Sequence, residues 1–262
     1  MAKNWAIVVG INQYNPNNFA PLKYAKRDAE RMRDFFRSAN FDEVCYFADD
    51  SPNHVLPNGT QIPTQPNYDN LISFLHDRFE KPFLSAGDNC WFFFAGHGGR
   101  YLDRDYLMPA GANPREIDRT GIQVSYVRDR LCRCGADNVI LILDACRNEG
   151  SRDGQGVGNE HQQGVITISA CSPTQKSWEI DELGQGAFTY ALLEALQISG
   201  ERNCATVERL DQYLRFRVPE LCRQYRKFPE QKSPHQRRSC HEVSLYFAAA
   251  ICNVDGCCCV EK

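Results

Sequence analysis

Apolar runs of four to six residues recur along this chain between stretches of helical periodicity, an alternation that restricts it to a layered α/β architecture. The runs are Trp5 to Gly10, Val44 to Phe47, Cys90 to Ala95, Val139 to Leu143, Val165 to Ser169 and Glu242 to Phe247. Each is too short for a helix and is bounded by turn or polar residues, so each reads as a buried strand. Between them, Leu22, Ala25, Ala29, Met32 and Phe36 step by three or four and form one apolar stripe among Lys, Arg, Asp and Glu. Further helices are predicted near Asn67 to Glu80, Val124 to Leu131, Gly186 to Leu196 and Val207 to Tyr225. Asp49 to Pro66, with Pro52, Pro57, Pro63 and Pro66, reads as a surface insertion.

Composition narrows the class. The chain has 262 residues, 42% hydrophobic and 24% charged, enough for a sizeable core. A formal charge of −3 provides no basic field for nucleic acid, and no apolar stretch approaches the roughly 18 residues of a membrane span. Ala6 to Ile11 is too short for a secretory core, so a cytoplasmic chain is expected. The 13 cysteines are odd in number and include no Cys-x-x-Cys pair, which argues for reduced thiols. Cys132-Arg133-Cys134 and Cys257-Cys258-Cys259 lack a second ligand pair at zinc spacing, so no structural zinc is expected.

Two motifs carry chemistry. His97, in Ala95-Gly96-His97-Gly98-Gly99, follows one predicted strand, and Cys146, in Asp144-Ala145-Cys146-Arg147-Asn148, follows another 49 positions later. Residues that leave neighbouring strands at their carboxyl ends meet over one crevice in an open α/β sheet. Peptide hydrolysis by a thiol needs a thiolate, a proton donor for the leaving amine and donors for the oxyanion. Cys146 is the candidate nucleophile and His97 its acid–base partner, while the Gly98 and Cys146 N–H groups are the candidate oxyanion donors. The glycines alone could equally make a turn.

The pairing of Ala145-Cys146-Arg147 with a histidine about 50 residues upstream resembles the caspase signature. Leu22 to Asp28 and Ser169-Ala170-Cys171-Ser172 through Ser177-Trp178-Glu179 extend the likeness from about residue 3 to about residue 250. Within that superfamily the chain resembles metacaspases and bacterial orthocaspases. The resemblance implies a three-layer fold with a six-stranded, mostly parallel sheet in a single domain over 1–250. It divides the domain into a p20-like part to about 147, a linker over 148–164 and a p10-like part from about 165, leaving a Cys-rich tail at 251–262. It also assigns Gly98 and Cys146 to the oxyanion hole. Phe94-Ala95 stand where the family has Ser or Tyr-Ser before Gly-His.

Specificity follows from departures from the caspase pattern. Asp144 and Glu179 occupy positions where caspases carry Gln and Arg to hold an acidic P1 side chain, so the polarity is reversed. Metacaspases, by resemblance, pair the aspartate before the Cys with one in the first helix, which maps to Asp28. Two carboxylates at one pocket repel until a cation pairs with both, and guanidinium does so bidentately. The expected substrates are therefore proteins or peptides with Arg, ahead of Lys, at P1. Ser169, Trp178 and Glu179 are further substrate-binding candidates, and Asp28 on its own also reads as a solvated helix residue or a partner of Arg31.

The glycine-rich stretch between Asn148 and Gly164 buries little and contains Arg152, with Arg147 at its edge, so self-cleavage there is expected, at Arg152 ahead of Arg147. Some metacaspases need calcium. Asp103, Asp105, Asp181 and Glu182 do not match a calcium-loop spacing, so no metal or other cofactor is expected. A monomer is expected, with no nucleic-acid or membrane partner. The rival reading is a catalytically silent caspase-fold interaction or scaffold module.

Overall fold

A computed structural model of the chain describes residues 2–56, 58–149, 164–170, 177–197, 207–229 and 231, with the side chains of 146–149 and 208 excepted. The elements run β1 (Asn4–Gly10), α1 (Ala25–Ser38), β2 (Glu43–Ala48), β3 (His54–Val55), β4 (Gln61–Ile62), α2 (Tyr68–Arg78), β5 (Asn89–Tyr101) and β6 (Arg104–Leu107). There follow α3 (Ile117–Thr120), β7 (Ile122–Gln123), α4 (Val124–Leu131), β8 (Asn138–Glu149), β9 (Val165–Ser169), β10 (Glu179–Ile180), β11 (Gln185–Gly186), α5 (Ala187–Gln197) and α6 (Val207–Gln224).

Five parallel strands form the centre in the order β2-β1-β5-β8-β9. Every residue of β1 is buried, as expected of a strand covered on both faces. One face carries Ile7, Val9, Phe92 and Leu141 against Leu71, Phe74 and Leu75 of α2 and Val127 and Leu131 of α4. On the other, Ala6, Val8, Phe93 and Ile142 meet Ala29, Met32 and Phe36 of α1, with α5 and α6 in the same layer. The chain is thus a mostly parallel sheet between two helical layers, as the alternation of apolar runs requires.

Two features differ from expectation. The predicted strands ended at Ala95 and Leu143, whereas β5 and β8 continue to Tyr101 and Glu149 in unbroken parallel register. Backbone pairing needs no apolar side chain, so the ladder outlasts the hydrophobic pattern that reveals it. In addition, β6 and β7 add an antiparallel extension to the far end of β5, giving a seven-stranded sheet among the described residues. The sixth strand expected at 242–247 lies outside those residues, as do Arg152, most of the 148–164 linker and the Cys-rich tail. The Asp49 to Pro66 insertion carries the small β3–β4 hairpin.

Gly10 ends β1 where α1 crosses the sheet. A Cβ there would run into the Ala29 side chain and would sit 2.9 Å from the Ala25 carbonyl oxygen and 3.0 Å from Lys26 Cα. The first turns of α1, which hold Asp28, therefore approach the sheet only because position 10 has no side chain. Gly10→Val is expected to destabilise the fold by about 1–3 kcal/mol through overpacking, measured as a lower urea midpoint with unchanged slope. An unchanged midpoint would show that α1 has room to shift.

Candidate active site

The β5–β8 ladder sets His97 and Cys146 opposite each other in register, with Gly98 opposite Arg147. Adjacent strands lie about 4.8 Å apart, so both candidate reactive residues occupy neighbouring backbone positions. The loop between β1 and α1 then builds the histidine's surroundings. Phe19 stacks on the imidazole with centroids 5.0 Å apart, and Tyr14 meets it edge-on at 4.7 Å. The Tyr14 hydroxyl accepts the His97 backbone N–H at 3.0 Å and donates to the Met108 carbonyl at 3.1 Å.

His97 Nε2 lies 2.7 Å from the Ala20 carbonyl oxygen. A carbonyl only accepts, so Nε2 carries a proton and the neutral ring keeps its lone pair on Nδ1. The tautomer of the candidate base is thereby fixed. Gly98 and Gly99 are strand residues paired with Leu107 and Tyr106 of β6, so they do not form the turn that a Gly-Gly pair suggests.

Next to this point opens a cleft of about 570 Å³ lined by Phe19, Leu22, His97, Gly98, Trp178 and Glu179, among others. Ser177 and Trp178 are held on its wall by Gln231, which is fully buried. Gln231 Oε1 accepts the Trp178 N–H at 2.9 Å, and its Nε2 donates to the Ala170 carbonyl at 2.9 Å and to Ser177 Oγ at 3.2 Å. Ser169 is buried at the end of β9, immediately before Ala170.

Asp28 and Asp144 do come together, around Gly186. Asp28 Oδ2 and Asp144 Oδ2 lie 2.9 and 3.0 Å from the point where a Gly186 Cβ would sit. Asp28 accepts the Gly186 N–H at 2.9 Å and Gln185 Nε2 at 3.3 Å. Asp144 accepts Thr189 Oγ1 at 2.6 Å and Ser177 Oγ at 2.7 Å. Both carboxylates are buried, at 2% and 7% exposure, so Asp28 is not a solvated helix residue. They sit behind Ser177, while that serine itself reaches the cleft wall. Burial pushes both pKa values up, and for Asp28 the neighbouring Asp144 charge adds to the effect.

Glu179 lines the cleft and also holds the entry to α1. Its Oε1 accepts the backbone N–H groups of Tyr24 at 2.6 Å and Lys23 at 2.9 Å, at the entry to α1. Tyr24, the N-cap, makes no side-chain capping bond, and Asn12 Oδ1 takes the Lys26 N–H at 2.8 Å. The helix that carries Asp28 is therefore capped by two residues remote from it, where a negative charge also suits the helix dipole.

A caspase domain model matches residues 3–241. The chain belongs to the caspase domain family. A curated protein described as a probable protease, from a Desulfuromonadales bacterium, is 27% identical over 88% of this chain. The match covers 31% of that relative, so this caspase domain chain spans about a third of its length. A crystal structure of a Geobacter sulfurreducens protein shares the fold with a TM-score of 0.59 at 17% identity, over 88% of this chain and 92% of that one.

Tyr14, Phe19, Ala20, Gln185, Thr189 and Gln231 escaped the sequence reading because their roles depend on contacts across the fold. Tyr14 offered the nearest signal, as an aromatic in an otherwise polar loop directly after the first strand.

The buried acid pair has a pH signature. The fold raises the Asp28 pKa above its ordinary value of 3.8, so the neutral form's contribution to stability is complete below that value. It is lost as pH rises through the raised value of the folded state. Asp28→Asn keeps the shape and removes that loss. The urea midpoints of wild type and variant should diverge from about pH 4 upward, with the variant more stable near neutrality. Parallel curves would mean that Asp28 ionises in the fold without penalty.

Proposed function

We propose that the chain is a cysteine endopeptidase cleaving after basic P1 residues, Arg ahead of Lys, through a Cys146/His97 dyad. The in-register placement of His97 and Cys146, with the histidine tautomer set by the Ala20 carbonyl, carries this reading. In it, His97 Nδ1 takes the Cys146 proton and later returns it to the leaving amine, while the Gly98 and Cys146 N–H groups hold the oxyanion. Membership of the caspase domain family supports thiol peptidase chemistry at the level of the family. Catalysis is assigned no metal or other cofactor.

The acid pair supports the basic P1 preference. Two buried carboxylates that resist ionisation gain most from a ligand bringing a positive charge and several N–H donors. A guanidinium reaching past Ser177 would replace the hydroxyl donors to Asp144 and offset the repulsion from Asp28. An acidic P1 group would add a third negative charge. Ser169 and Trp178 flank the same region, and Glu179 acts by holding the α1 entry that forms the opposite wall. The 148–164 linker is the proposed self-cleavage segment, at Arg152 ahead of Arg147, and the active unit is a cytoplasmic monomer.

Matched peptide reporters with Arg, Lys or Asp at P1 test the reading. Arg should be cleaved best, Lys less well and Asp not at all, and Cys146→Ala should abolish turnover. Asp144→Asn should lower kcat/KM for the Arg reporter by about 30-fold or more, the equivalent of roughly 2 kcal/mol for leaving a desolvated charge unpaired. Purified wild type should also convert to two fragments that Cys146→Ala does not form. A folded wild type silent on all three reporters would favour the interaction module.

A further inference from the structure

Away from the cleft, on the open edge of the sheet, Glu43, Cys45 and His54 bring a carboxylate oxygen, a thiol sulfur and an imidazole nitrogen within 4.8 Å of one another. We infer that these three side chains form a binding site for a borderline divalent cation of the Zn²⁺ class, clipping the β3–β4 insertion to edge strand β2.

Glu43 and Cys45 are two apart on β2 and so share one face of the strand. His54 arrives from β3, the first strand of the insertion hairpin. Its Nε2 is buried and stands 3.0 Å from Glu43 Oε1, yet makes no hydrogen bond of acceptable angle. A buried ring nitrogen facing a carboxylate and a thiol without a hydrogen bond is the arrangement that a cation would complete. Zinc bonds of about 2.0–2.3 Å in tetrahedral geometry separate ligand atoms by roughly 3.3–3.8 Å, so small side-chain rotations gather these three.

The donor types select the ion. Thiolate and imidazole suit Zn²⁺ and Co²⁺ and are poor ligands for Ca²⁺ or Mg²⁺, which take oxygen. Three protein ligands leave a fourth position for water, and the Glu43 and His54 side chains keep 16% and 19% exposure, enough for entry. On binding, the Cys45 S–H proton passes to solvent and the sulfur lone pair binds the ion. Burial and Glu43 hold the Cys45 pKa up in the absence of a cation, with Arg78 opposing them. The pattern Glu43-x-Cys45 followed by a lone His54 resembles no zinc-finger spacing, and the cluster is separate from Cys134, whose thiol hydrogen-bonds with Cys90.

The site also answers a structural need. β2 pairs with β1 alone among the described residues, so its other edge is the open margin of the sheet. A cation linking Cys45 to His54 would hold the insertion beside that margin and shield it from strand addition.

The test uses Co²⁺ and Zn²⁺ on the full chain carrying Cys146→Ala, which removes the proposed active-site thiol. One equivalent of Co²⁺ should produce a sulfur-to-cobalt charge-transfer band in the near ultraviolet and tetrahedral visible bands. The charge-transfer band should vanish in Cys45→Ser, and His54→Gln should weaken Zn²⁺ binding by roughly 100-fold or more. Zn²⁺ should raise the thermal midpoint of the parent and leave that of His54→Gln unmoved. Should Cys45→Ser misfold, the partly exposed His54→Gln decides the matter alone. Absence of bands in the parent would overturn the site. Bands and affinity unchanged in His54→Gln would overturn it too, placing the metal on other cysteines of the chain.

Discussion

The parallel ladder between β5 and β8 is the constraint on which the rest of this molecule depends. From Asn89 opposite Asn138 to Arg100 opposite Glu149 it runs without a break. Its first half is apolar on both faces and is fixed by burial, since a slip of one residue would turn Phe92, Phe93, Leu141 and Ile142 to the wrong layers. Its second half has little apolar content and inherits that register. The placement of His97 beside Cys146 is therefore set by core packing several residues away, and the two residues need no specific contact of their own to find each other.

The acid pair shows the opposite economy. Asp28 and Asp144 take up positions that a purely structural core would fill with apolar groups, and their burial raises both pKa values. Donors from Gly186, Gln185, Ser177 and Thr189 offset part of the desolvation without bringing a countercharge. Gly186 is the point of closest approach, and any larger residue would push both carboxylates apart. A fold that maintains two buried carboxyl groups beneath a cleft wall is less stable for it near neutral pH.

Much of this was legible in the residue order. All five of the longer helices and all five central parallel strands follow from apolar periodicity, because each buries one stripe or both faces against a neighbour. α1 is the clearest, with Ala25, Ala29, Met32 and Phe36 all buried on the predicted stripe. Strand ends were not legible, because hydrogen-bonded backbone continues through Gly96 to Tyr101 and Ala145 to Glu149 after the apolar signal stops. The resemblance to metacaspases carried Asp28 to the side of Asp144; no periodicity could. Partners supplied across the fold, such as Tyr14 under His97 and Gln231 behind Trp178, leave no local mark, since a buried glutamine in sequence looks like any surface one.

These cross-fold contacts also determine what a cut in the linker would do. Residues after Gly164 are joined to those before Glu149 by the β8–β9 ladder, with Val139 opposite Val165 through Leu143 opposite Ser169. Glu179 caps the entry to α1, Gly186 donates to Asp28, and Ser177 and Thr189 donate to Asp144. The apolar layer of α1, α5 and α6 draws on both sides as well. None of these interactions uses the covalent connection, so cleavage between Glu149 and Gly164 would leave the two parts docked. Its effect would then fall on the chain near Cys146, which gains a free end three or more residues away, while the acid pair and the histidine's setting stay as they are.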